Sequence, residues 1–279
     1  MLSRNKILYI VSIISFITSN AHAHKKAIVI GASSGMGREV AKLLSREGYI
    51  VGLVARRLPL LEFLQKELSG PSYIKQIDVT HPQARELLSQ LINDMHGLDL
   101  MVISISPNLD NINEASTNQS GNSPQQEWQQ KVRNIDVCAK GFIAIADVAL
   151  EFFKQQNHGH LVGISSIAGL RGNAFTPEYS AAKACISCYM EGIRNYMIQN
   201  NITIDVTDII SGYVAIEYSP LGEDPKAYWE ITVQEAGKII LAGIKAKKKI
   251  IYVPSKTWLV ACLLKWAPDY IYNRYFYWL

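Results

Sequence analysis

Short runs of apolar residues alternate with stretches in which apolar positions recur at helical spacing, and the alternation persists through most of the chain. Ala27 to Ile30 is one such run, too short for a helix and without polar alternation, as expected of a strand covered on both faces. It leads into Gly31-Ala-Ser-Ser-Gly35-Met-Gly37, and then into a helical pattern carried by Val40, Leu43 and Leu44 that stops at Gly48. The same rhythm predicts strands at Tyr49 to Ala55, Tyr73 to Ile77 and Leu98 to Ile105, with helices at Pro59 to Leu68 and Pro82 to Met95 between them. Pro107 to Gln130 is rich in Asn, Gln and Ser and reads as a long exposed loop. A long helix to about Gln156 follows, then a strand through Leu161 to Ile164 ending at Ser165 and Ser166. Pro177 opens the next helix. Ile202 to Ile210, the helix Val233 to Ile244 and the strand Ile250 to Val253 complete the series.

Strands and helices alternating at these lengths predict one α/β domain, a doubly wound parallel sheet of about seven strands with right-handed crossovers.

The two ends depart from this rhythm. Arg4 and Lys6 precede the apolar run Ile7 to Ile17, and Asn20-Ala-His-Ala23 follows it. A basic segment, a short apolar segment and an A-x-A site form the pattern of a secretory signal peptide. The run falls short of the roughly 18 residues that a membrane span needs, though an uncleaved anchor flanked by Lys25 and Lys26 is the alternative. At the other end, Trp258, Trp266, Tyr270, Tyr272, Tyr275, Phe276, Tyr277 and Trp278 crowd around Lys265 and Arg274. That mixture suits a membrane interface; a tail packed on its own domain or on a dimer mate explains it equally. The chain thus divides into residues 1–23 (signal peptide or anchor), an α/β domain over 24–256, and an aromatic tail over 257–279.

The 279 residues are 48% apolar and 19% charged, enough for a full core and incompatible with bulk disorder. A formal charge of +4 points to no nucleic-acid partner. No metal-ligand spacing stands out. Four cysteines make no disulfide framework in a chain this long; Cys185-Ile-Ser-Cys188 falls within a helix and is expected to be two small core residues one turn apart.

Chemistry concentrates at two places. A strand, a glycine turn and a helix in succession are what a nucleotide-binding turn requires. Gly31, Ser33, Ser34, Gly35, Met36 and Gly37 would line a pyrophosphate seated on the helix N-terminus. The second strand ends not in an acid, which would bind the ribose hydroxyls of NAD, but in Arg56 and Arg57, which suit a 2′-phosphate and hence NADP(H). Asp78 and Val79, closing the third strand, are placed for adenine contacts.

The second place is Tyr179-Ser-Ala-Ala-Lys183. On a helix, residues four apart share a face, so the lysine lies beside the phenol and its cation stabilises the phenolate. Ser166 ends a strand thirteen residues earlier, where its hydroxyl can hydrogen-bond a carbonyl that the tyrosine protonates.

Taken together, the glycine turn, Ser166, Tyr179 and Lys183 resemble the short-chain dehydrogenase/reductase family over roughly Lys26 to Ser255. The family's G-x-x-x-G-x-G falls on Gly31, Gly35 and Gly37, its serine on Ser166, and its Y-x-x-x-K on Tyr179 and Lys183. The resemblance implies a Rossmann sheet and hydride transfer between a nicotinamide and a carbonyl or alcohol. It also implies a general acid/base role for Tyr179, a ribose-holding role for Lys183, and cofactor contact at Gly212. Three departures accompany it. The family's N-N-A-G corresponds to Ile103-Ser-Ile-Ser106; its helix asparagine to Cys138; its P-G to Ser211-Gly212, with the threonine that follows falling on Ile216.

The expected function is therefore an NADP-dependent oxidoreductase that reduces an apolar ketone or aldehyde, assembled as a homo-oligomer. Oxidation of hydrophobic alcohols is the reverse reading. A membrane-tethered nucleotide-binding or scaffold protein with little turnover is the alternative of a different class. Apolar residues Tyr213, Val214, Ile216, Tyr218 and Leu221 after the sixth strand suggest a lid over the substrate, and an ordinary packed loop explains them equally. The N-terminal segment implies export or membrane association, and an anchor facing the cytoplasm would reconcile it with a supply of NADPH.

Overall fold

The computed structural model describes residues 24–106, 123–215 and 230–275. Seven strands form one sheet: β1 (Lys26–Ile30), β2 (Ile50–Ala55), β3 (Ser72–Gln76), β4 (Leu100–Ile103), β5 (Gly159–Ser166), β6 (Ile204–Ser211) and β9 (Ile250–Val253). Two short strands, β7 (Val214–Ala215) and β8 (Ile231–Thr232), pair separately. The large sheet runs β3-β2-β1-β4-β5-β6-β9 with every neighbouring pair parallel. Its order reverses between β1 and β4, which opens a crevice at the carboxyl ends of those strands. This is the expected Rossmann-type fold.

The strands read as unbroken apolar runs because helices cover both faces. Over one face lie α3 (Ala84–Asp94), α5 (Phe142–Gln156) and α6 (Pro177–Gln199), which bury Leu88, Ile92, Phe142, Phe153 and Met190. Over the other lie α1 (Gly35–Arg46), α2 (Leu58–Glu67) and α7 (Val233–Lys245), which bury Val40, Leu44, Leu61, Leu64, Ile240 and Ile244. Gly48 adopts the left-handed conformation (φ +84°) expected of a glycine just past a helix.

Three expectations are corrected. The exposed loop does not extend to Gln130: a helix, α4 (Pro124–Ile135), begins inside it. Ser123 accepts from the Gln126 N–H and the Gln126 side chain accepts from the Ser123 N–H, a reciprocal cap followed by proline at the first turn. Nor is the following helix continuous, because Asp136–Gly141 is wound as a π-segment between α4 and α5. Third, Cys185 is half-buried and Cys188 exposed, so they are not a pair of core residues; both thiols are free.

The tail forms α8 (Thr257–Trp266) and α9 (Asp269–Tyr275) and packs on its own domain. Leu264 and Tyr272 bury themselves with Ile167 and Ile210 at the carboxyl end of β5 and β6. Residues 1–23, residues 107–122 of the polar loop, Ile216, Tyr218 and Leu221 of the expected lid, and Phe276, Tyr277 and Trp278 of the tail lie outside the described residues.

Candidate active site

Gly31 turns the chain out of β1 at φ +82°. A side chain has no room there, since a Cβ would lie 2.0 Å from the Ser104 carbonyl oxygen. Gly37 is pressed against the same turn, its hypothetical Cβ 2.4 Å from the Gly31 carbonyl oxygen. The glycines thus let α1 start directly behind β1, its N-terminus facing the crevice. Ser34, the residue before the helix, makes no side-chain bond to the first helical N–H groups, leaving them to an outside acceptor. Above them Arg57 Nη2 donates to the hydroxyls of Ser33 and Ser34, each at 3.0 Å. A guanidinium, two hydroxyls and a helix N-terminus converge here, a donor set that fits the phosphates of a dinucleotide.

Arg56 and Arg57 diverge. The Arg56 charge lies towards Asp78, and its backbone carbonyl accepts from Gln76 at 2.8 Å. Partial burial alone would raise the Asp78 pKa, but the Thr80 N–H (3.0 Å) and hydroxyl (2.7 Å), with Arg56 and Arg133, outweigh it and hold the carboxyl below its usual range. Val79 turns inward, where it packs against Gly141 of the π-segment.

At the carboxyl end of β5, the Ser166 hydroxyl donates to the Ser211 carbonyl oxygen (3.3 Å) and accepts from the Ala168 N–H (3.2 Å). The neighbouring Ser165 instead donates to the buried Asp208 carboxylate at 2.6 Å. Burial raises the pKa of Asp208 against the opposing pull of Ser165, Ser187, Arg194 and Lys183. On α6, Tyr179 and Lys183 share a face as their spacing requires, with Nζ 5.7 Å from the phenol ring centroid. Tyr179 is half-buried; Lys183 is only 3% exposed. Its ammonium donates to the carbonyls of Ile105 (3.2 Å) and Ile164 (3.1 Å), tying the ends of β4 and β5 to α6.

Four contributors escaped the motif reading. Ser104 and Ile105 act through their backbone, one against Gly31 and one on Lys183. A backbone role leaves no side-chain signature, so the departure from N-N-A-G did not reveal it. Gly169 lets the turn after Ser166 lie on α6, a Cβ there falling 2.7 Å from the backbone of Lys183 and Ala184. Arg171 holds the tail, donating to the carbonyls of Leu264 (3.3 Å) and Ala267 (2.7 Å) and to Asp269 (2.6 Å). Gly212 sits between the end of β9 and α8: its N–H donates to the Val253 carbonyl oxygen at 2.6 Å, and a Cβ would meet Thr257 at 2.9 Å. Cys138, in the asparagine position, is fully buried in the π-segment; burial pushes its thiol pKa up, partly offset by the Lys183 charge.

Against known families, residues 25–220 match the model for the short chain dehydrogenases. The chain belongs to that family. An uncharacterized oxidoreductase of Myxococcus xanthus is 32% identical over 228 residues, covering 79% of this chain and 85% of the relative. Among solved structures, a short-chain dehydrogenase from Sphingobium yanoikuyae in complex with NADPH superposes with a TM-score of 0.68 at 21% identity, covering 85% of this chain and 91% of the other. The bulky-bulky ketone specific alcohol dehydrogenase from Comamonas testosteroni also gives 0.68, at 19% identity, covering 91% of this chain and all (100%) of that one. At such identities the two structures speak for the fold; the family assignment rests on the sequence matches. This short-chain dehydrogenase is accordingly an oxidoreductase by family.

Proposed function

We propose that this short-chain dehydrogenase uses NADP(H) and reduces an apolar ketone or aldehyde. The observation that carries the cofactor choice is Arg57 bridging Ser33 and Ser34 above the N-terminus of α1. No acid stands where a ribose 2′-hydroxyl would need one, and a cation with two hydroxyl partners is suited to a phosphate. Gly31, Ser33, Ser34, Gly35, Met36 and Gly37 would cradle the pyrophosphate, Asp78 and the backbone of Val79 would flank the adenine, and Lys183 would hold the nicotinamide ribose near Gly212. When bound, the nicotinamide supplies the hydride to the carbonyl carbon. Tyr179 gives its hydroxyl proton to the carbonyl oxygen, and Ser166, turning from the Ser211 carbonyl, hydrogen-bonds that same oxygen. The Lys183 cation stabilises the phenolate that remains.

An apolar substrate is favoured by what surrounds the end of β5: Ile167, Leu170 and Tyr213 cluster there with Leu264 and Tyr272 of the tail. The test is oxidation of NADPH and of NADH against ketones of graded size and apolarity. NADPH-dependent turnover that rises with apolarity is expected. Tight NADPH binding without turnover of any carbonyl would leave a nucleotide-binding protein instead.

A further inference from the structure

The helix α8 is apolar on both of its faces. Ala261 and Leu264 turn inward, whereas Trp258, Leu259, Leu263 and Trp266 turn outward and are 50%, 53%, 47% and 85% exposed. Tyr270 at the start of α9 adds a further 75% exposed ring. A helix on a water-washed surface carries polar residues outward, as α7 does with Gln234, Glu235 and Lys238. Exposure on this scale within one stretch of chain marks an interaction site.

We propose that α8 and α9 form a docking face for an anionic lipid surface. The charges select this occupant. Lys256, Lys265 and Arg274 are exposed around the apolar side chains, and none takes part in an ion pair among the described residues. The carboxylate within these helices, Asp269, is held by Arg171 at 2.6 Å. A second copy docking by two-fold symmetry would set this face against itself, cation facing cation, without a free carboxylate from these helices to neutralise either. Anionic headgroups supply the missing charge, and the zone beneath them accepts Trp and Tyr, whose ring bodies are apolar and whose tips are polar. Among the described residues no helix is long and apolar enough to cross a membrane, so the face lies on the surface rather than spanning it. Its inward side packs on Ile167 and Ile210, beside Ser166 and Ser211.

The experiment uses the full chain with phosphatidylcholine vesicles carrying brominated acyl chains, with and without phosphatidylglycerol, and reads quenching of tryptophan fluorescence. Of the five tryptophans, Trp258 and Trp266 lie on the face, so quenching that is lost with them reports contact there, which attachment through residues 1–23 does not imitate. Vesicles containing phosphatidylglycerol are expected to quench strongly. The Trp258→Phe/Trp266→Phe variant should lose more than half of the quenching while staying bound. Lys256→Glu/Lys265→Glu/Arg274→Glu should need at least about tenfold more anionic lipid to reach it, as expected from the contribution of each cation near such a surface. NADPH affinity should stay within about twofold in both variants, which separates loss of docking from loss of the fold or the cofactor site. Quenching unchanged by the tryptophan substitutions, or independent of phosphatidylglycerol and of the charge reversals, overturns the proposal. So does light scattering that shows these variants dissociating a dimer while the wild type ignores vesicles.

Discussion

The ammonium of Lys183 donates to the carbonyl oxygen of Ile105 at 3.2 Å, across 78 residues of chain. With its second bond, to Ile164, this uses two of the three ammonium donors and stabilises a cation that is nearly excluded from water. A lysine expected to serve the cofactor is therefore also a strut between β4, β5 and α6.

Two variants should separate those duties. Tyr179→Phe keeps the ring but removes the proton, so hydride transfer should fall by ~10²–10⁴ with NADPH affinity and stability little changed. Lys183→Met should lose activity and cofactor affinity together. It should also unfold more easily, by roughly 1–3 kcal/mol, because two buried carbonyls lose their donor. Measuring NADPH binding, ketone reduction and urea midpoints for both variants checks this. A Tyr179→Phe protein that turns over normally rules out the proposed proton donor.

The two arginines should not be equivalent. Arg57→Ala removes the guanidinium bridging Ser33 and Ser34 and should weaken NADPH by tenfold or more, as for a lost charge-assisted bond worth about 1.5–3 kcal/mol, while sparing NADH. Arg56→Ala, whose charge lies towards Asp78, should cost less than a third as much in free energy. Titration of each variant with both nucleotides decides it, and equal effects of the two substitutions would show that Arg57 has no special hold on the phosphate.

Gly31→Ala should abolish nucleotide binding. The substitution forces a Cβ to within 2.0 Å of the Ser104 carbonyl oxygen at a φ of +82°, and the turn cannot yield without moving β4. Gly172→Ala is the control, with nothing within 4 Å of its Cβ; it should bind NADPH normally. Calorimetric titration of the two proteins is sufficient.

Acid should destabilise the protein through His160. This residue is buried in β5, its Nε2 2.8 Å from the Thr207 hydroxyl. Burial, aided by the Lys247 charge and opposed by Asp205, lowers its pKa from 6.5 to about 4. The unfolded chain therefore binds a proton that the folded chain refuses, and stability falls as pH drops from about 6.5 towards 4, by up to on the order of 3 kcal/mol. The raised pKa of Asp208 acts in the opposite direction and is common to wild type and variant. In urea titrations at pH 7, 6 and 5, His160→Gln should lack the His160 component, giving a shallower loss with acid. Parallel slopes would mean that this imidazole is protonated in the folded state as well.

At the start of α4 local capping chemistry overrides the polarity of the surrounding stretch. Ser123-Pro-Gln-Gln126 carries a capping signal inside a polar stretch that looked like loop throughout, and α4 starts there. The π-segment at Asp136–Gly141 has no such signal. The tail offered two readings, packing or interface; the fold shows the packing, and the outward aromatic rings are what the lipid-face proposal rests on. Tyr272 donates its hydroxyl to the Gly172 carbonyl oxygen at 2.8 Å and stacks under Arg171, while Trp266 remains 85% exposed.

Sequence alone determined the sheet, the glycine turn and the shared face of Tyr179 and Lys183, because each follows from spacing along a continuous piece of backbone. A buried strand must be apolar, a tight turn must have glycine, and residues four apart on a helix must be neighbours. Only the tertiary structure decided which arginine stands over the helix N-terminus, which carbonyls receive the lysine, and which side of α8 faces outward. Those choices depend on where strands distant in sequence end relative to one another. Strand order and register set these positions, and parallel pairing brings together residues such as Ile105 and Lys183 that no local pattern links.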